Sequence, residues 1–140
     1  MIHFDFQLEP ADAEVTKDIG SWTYEIFMLN VDARIEISSE AGVWKFSVPV
    51  MNFVNTLMVA ANNLSDSHKS VEFRDWDNPF DFLFVYDNGK VVAEHREELK
   101  FSAPINEFRD AALQLAPRVK QELETTYPAL LNNAAFQKFF

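Results

Sequence analysis

The chain has no cysteine. That excludes disulfides, thiolate metal centres and cysteine nucleophiles. Glycine is scarce, with residues only at positions 20, 42 and 89. None of them opens a helix in the context that a phosphate-cradling loop requires, and there is no Gly-x-Ser-x-Gly nucleophile elbow. Long apolar runs are also missing. The longest mainly apolar stretch, Val48 to Leu64, is interrupted by Pro49, Asn52, Asn55, Asn62 and Asn63, and is too short and too polar to span a bilayer. The opening residues, Met1-Ile2-His3-Phe4-Asp5-Phe6, lack the basic-then-apolar pattern of a secretory signal. These absences lead to the expectation of a cytoplasmic protein without cofactor, metal or membrane partner.

What is abundant is aromatic and acidic. The 140 residues suit one domain, 1–140, long enough to bury a continuous core. Apolar residues make up 48% of the chain, which argues against disorder, and 14 of them are Phe. The net charge is −10 and is unevenly spread. Residues 1–40 carry nine acids and two bases, and residues 72–98 carry eight acids and three bases. The remaining segments are each +1, so the excess lies in two blocks. Such a chain repels nucleic-acid phosphates and attracts basic partners, although acidity by itself also keeps proteins dissolved.

Hydrophobic periodicity predicts an α+β fold, with a mainly antiparallel sheet of about six to seven strands and helices on one face. Ile2, Phe4, Phe6 and Leu8 alternate with polar residues as a strand. A second, central strand is expected over Trp22–Leu29, followed by strands over 33–38 and 43–48. From Pro49 the period changes to that of a helix, with Val50, Phe53, Val54, Leu57, Met58, Ala61 and Leu64 on one stripe and Ser47 as its expected cap. Strands resume at Val71 and Phe73. Asn88-Gly89 marks a two-residue hairpin turn, which pairs Asp87 with Lys90, Phe84 with Ala93, Phe82 with His95 and Asp81 with Arg96. Leu99–Ser102 extends the sheet, and Pro104 opens a long helix that Pro117 should kink or split. The apolar tail Phe136, Phe139 and Phe140 either folds back on the core or joins copies into a homo-oligomer.

Two regions are candidates for function. The segment Glu72 to Asp81 mixes acids with aromatic groups around the turn Asp77-Asn78-Pro79. There Trp76, flanked by Asp75, Asp77 and Asp81, reads either as an anchor for a basic partner or as a cover for a sheet edge. Glu94, Glu97 and Glu98 add further carboxylates beyond the hairpin. Between them His95, opposite Phe82, offers a general base or ligand beside Glu97, or simply a packed strand-end ring. His95 and Phe82 define the candidate mouth of a small-molecule pocket.

Size, acidity, lack of cysteine and this order of strands and helices resemble those of small acidic bacterial immunity-type proteins. The resemblance is one of organisation, with no motif matched residue by residue. It implies a non-enzymatic inhibitor that masks a basic partner such as a toxin nuclease. The alternatives are a ligand-binding or catalytic domain with a pocket near His95, and an oligomeric structural subunit.

Overall fold

The computed structural model describes residues 1–140. The seven strands divide into two antiparallel sheets separated by a helix. In the first, β1 (His3–Leu8), β2 (Asp32–Ser39) and β3 (Gly42–Pro49) lie in that order. Helix α3 (Val50–Asn63) follows. The second sheet is a meander of β4 (Ser70–Arg74), β5 (Asp81–Asp87), β6 (Lys90–His95) and β7 (Glu98–Pro104). Helix α4 (Ile105–Thr126) comes next, and a 3-10 turn over Pro128–Asn132 leads to α5 (Ala134–Phe139). The short helices α1 (Ala13–Thr16) and α2 (Tyr24–Leu29) fill the connection between β1 and β2.

Alternation sets which face of each strand is buried. Phe4 pairs with Ile37 and Phe6 with Ile35, so these side chains share the inner face of the first sheet. In the second, Val71, Phe73, Phe82, Phe84, Val91, Ala93, Phe101 and Ala103 point inward. Phe53 of α3 lies within 6.5 Å, ring to ring, of Phe4, Phe46, Phe73 and Phe82. Phe108 of α4 meets Phe4, Phe84 and Phe101. The two long helices thus join both sheets through one aromatic core, mostly in edge-on and tilted contacts, with Phe108 stacked on Phe101, geometries that suit ring quadrupoles.

Several sequence expectations need correction. Trp22–Leu29 is not a central strand: Trp22 precedes a helix, and the adjacent residues Phe27 and Met28 are both buried, which a strand facing one core does not allow. A short run apolar on every side carries no usable period. The strands form two sheets rather than one because α3, not a hairpin, links β3 to β4. Ser47 does not cap α3. Pro49 holds the cap position, and the Ser47 hydroxyl donates to Glu9 at 2.7 Å. Pro117 does not divide α4, which runs unbroken through it. Pro117 and Leu113, whose carbonyl loses its partner there, are both on the exposed side, where the freed carbonyl is open to solvent rather than buried unsatisfied. The tail folds back: Phe136 is fully buried, and Phe139 stacks on Tyr24 at 5.1 Å.

In the hairpin, Asp87–Lys90 and Phe84–Ala93 pair as expected. The ladder ends at Leu83–Glu94, so Phe82–His95 and Asp81–Arg96 are not paired, and neither charge pair closes into a salt bridge. Arg96 has left the strand to form the next turn.

Phe82, only 2% exposed, touches rings from β3, α3 and β4. Phe82→Ala should cost about 3–5 kcal/mol by removing a large side chain from a site with many partners. Chemical denaturation of the two proteins checks this, with a lower midpoint and an unchanged slope expected.

Candidate functional site

Because β4 to β7 form a meander, the β4–β5 loop and the β6–β7 turn emerge at the same end of the second sheet. That topology brings the two acidic segments of the sequence together. Across this end lies β3, whose Trp44 and Phe46 rings rest on Phe80 and Phe82 at 5.1–5.5 Å.

The β4–β5 loop is organised by Asp75. This residue is buried, and its carboxylate accepts from the Asp77 amide at 3.0 Å and from the Asn78 side chain at 3.3 Å. Its own amide donates to the Phe80 carbonyl at 3.1 Å. Asp75 is therefore occupied in shaping the loop and does not face outward, a correction to its assignment as a contact residue. The loop holds Trp76 half exposed at 50%, with Asp77 beside it in solvent. Asp32, at the start of β2, stands near this loop. Burial first, and then the negative charges of Glu9, Asp75 and Asp77, push its carboxyl above the ordinary range.

The β6–β7 turn is a strained one. Arg96 and Glu97 have φ of 52° and 66°, a left-handed pair that elsewhere in this chain is filled by Asn88-Gly89. It projects Glu97 and leaves Glu98 opposite His95 at the foot of β7. Glu98 pairs with Lys100 at 3.4 Å, whereas Asp77, Asp81, Glu94 and Glu97 form no salt bridge.

His95 does not form a dyad with Glu97. Its Nδ1 lies 2.7 Å from the Asp81 carbonyl oxygen, which only accepts, so Nδ1 carries the proton. The ring packs 5.0 Å from Phe80 and 6.3 Å from Trp44. Surface clefts lie at β1 and α4, around the β2–β3 hairpin, and between that hairpin and Glu98–Lys100 of β7, and neither His95 nor Phe82 lines any of these. Phe82 belongs to the core. No three His, Asp or Glu side chains converge as a metal site would need.

The outer face of the second sheet supplies residues that site reasoning missed. Opposite the buried positions, the cross-strand row Glu72–Leu83–Glu94–Leu99 lies next to the row Ser70–Val85–Val92–Ser102. Leu99 is 55% exposed, and Leu83, Val85 and Val92 are partly so. Alternation of Leu83 and Val85 with Phe82 and Phe84 was the available signal, since a strand apolar on both faces is covered on both or presents one to solvent. An apolar strip therefore adjoins the carboxylates of Asp81, Glu94, Glu97 and Glu98.

Comparison of the chain with known protein families, with curated protein sequences and with solved structures finds no match among them.

Two expected outcomes follow from this geometry. Ionising Asp32 is harder in the folded state than in the unfolded chain, so its charge opposes folding at neutral pH and the penalty disappears as pH falls through its raised pKa. Asp32→Asn should raise the thermal midpoint at neutral pH, and the gain should shrink in acid, as a melting series across pH will show. Replacing Arg96-Glu97 by Asn-Gly should add about 1 kcal/mol of stability by relieving the left-handed strain, measurable by denaturant titration.

Proposed function

We propose that this protein is a non-enzymatic binding module that engages a basic protein, in the manner of an immunity or antitoxin-type inhibitor covering a cationic cleft such as that of a toxin nuclease. The observation that carries the reading is the joining of an uncovered apolar strip to unpaired carboxylates on one sheet. Leu83, Val85 and Val92 form the strip, Leu99 stands beyond Glu94 at the bulge in β6–β7 pairing, and Asp81, Glu94 and Glu97 adjoin them without salt-bridge partners. Apolar centres rimmed by charge are how protein interfaces combine affinity with partner choice. Trp76, half exposed at the same end, adds an aromatic anchor.

The strained Arg96-Glu97 turn supports this reading, because backbone conformations that cost stability persist where they position a side chain. Here the turn projects Glu97 beside the strip. The carboxylates would speed encounter, and desolvation of the strip and Trp76 would slow release.

The test is affinity capture from the source cell's lysate at low and high salt, followed by binding kinetics with the retained protein. One basic protein, bound at low salt and shed at high salt, is expected. Trp76→Ala and Leu99→Ser should each accelerate dissociation about tenfold or more. Glu94→Lys and Glu97→Lys should chiefly slow association and flatten its salt dependence. Equal, small effects from both groups of variants would refute the reading.

A further inference from the structure

A different surface, remote from the acidic end of the second sheet, carries its own signature. β1 is the outermost strand of the first sheet, and only β2 pairs with it. The Glu9 amide bonds to the Asp32 carbonyl at 2.9 Å, so odd-numbered residues turn their backbone toward β2. Phe4, Phe6 and Leu8 therefore turn their N–H and C=O groups toward the open side. Two of these groups are covered by side chains. Asp5 Oδ1 accepts from the Phe6 amide at 2.9 Å, and Arg118 of α4 donates to the Phe4 carbonyl at 3.4 Å. Arg118 also bonds Asp5 Oδ1 at 2.7 Å, fixing both covers in place. The Phe4 amide, the Phe6 carbonyl and both groups of Leu8 remain without a strand partner.

Alongside this edge runs a groove walled by α4. It consists of a cleft of about 330 Å³ from Met1 to Phe4 and one of about 620 Å³ from Phe6 to Leu8, and Arg118 lines both. The helix wall contributes Glu107 and Asp110 to the first cleft and Glu122 to the second. All three are exposed, and Arg118, the one Lys or Arg in the groove, is engaged by Asp5. An open strand edge offers a ladder of hydrogen bonds to another extended backbone, and a neighbouring helix selects its side chains. The walls here select positive charge.

We propose that the groove between β1 and α4 binds an extended, basic segment of a partner protein, which adds to the first sheet as a strand beside β1. Unpaired backbone groups specify an extended chain, and Glu107, Asp110 and Glu122 specify its sign. A second copy of this chain fits less well, since its own β1 would bring Asp5 toward a helix wall that already carries Glu107, Asp110 and Glu122.

The test uses a displayed library of random decapeptides, selected on the wild-type protein and on Glu107→Lys/Asp110→Lys/Glu122→Lys. These are exposed helix positions whose replacement leaves the core intact, as a matched thermal melt will verify. Wild-type protein should enrich lysine- or arginine-rich peptides that the triple variant does not. The leading peptide, made synthetically, should protect the Phe4 and Leu8 amides from hydrogen exchange. N-methylation of alternate amides on one of its edges should weaken it about tenfold or more, and N-methylation on the other edge should not. Arg118→Ala, which uncovers the Phe4 carbonyl, should bind at least as tightly as wild type. The proposal is overturned by enrichment that is equal on both proteins, by no enrichment, by N-methylation that is harmless at every position, or by a β1-mediated dimer of the free protein in sedimentation.

Discussion

Everything in this fold depends on the aromatic junction at which β3 crosses the second sheet. The rings of Phe46, Phe53, Phe73 and Phe82 meet there, one from each of β3, α3, β4 and β5. No backbone hydrogen bond links the two sheets in the strand pairing, so their relative placement rests chiefly on packing, helped by side-chain bonds such as Asn52 to the Arg74 carbonyl and Arg118 to Asp5. A close-packed cluster of rigid rings with few rotamers is well suited to that task, because any shift of one sheet opens a void against several neighbours at once.

That junction also determines where the surface becomes chemically interesting. With the inner faces consumed by core, the polar content of the chain is forced outward and concentrated at strand ends. The β4–β5 loop and β6–β7 turn share one end of the meander, so two acidic segments distant in sequence share a neighbourhood. Asp75 gives part of its capacity to holding the loop, and the raised pKa of Asp32 reflects first its burial and then the negative charge of Glu9, Asp75 and Asp77 close by. A field of one sign, left uncompensated, costs stability and is relieved when a positive surface arrives. In the proposed complex, the apolar strip on the outer face would be the counterpart that slows release.

The two candidate surfaces use different physics. The outer face of the second sheet presents side chains, so its preference lies in shape and charge. The edge of β1 presents backbone, guarded by the Asp5–Arg118 pair, a common way for proteins to restrain an exposed edge without abolishing it. The guarding carboxylate is held below its usual range by the hydrogen bond from Arg118 and by the Phe6 amide, so the guard remains charged through the neutral range.

Sequence alone determined the features that follow from local periodicity and turn chemistry. Alternation over Ile2–Leu8, the stripe from Val50 to Leu64 and the positive-φ demand of Asn88-Gly89 each correspond to an element now seen. It failed at Trp22–Leu29, where a run apolar on all sides has no period, and at Arg96-Glu97, where residues with no turn preference are held in a left-handed turn by the strands around them. Only the tertiary structure decided that Asp75 turns inward, that His95 spends its proton on the Asp81 carbonyl, and that Leu99 lies exposed across Glu94 from Leu83. The reason is one of range. A residue's period and turn preference are carried within a few neighbours, whereas what covers it is settled by segments tens of residues away.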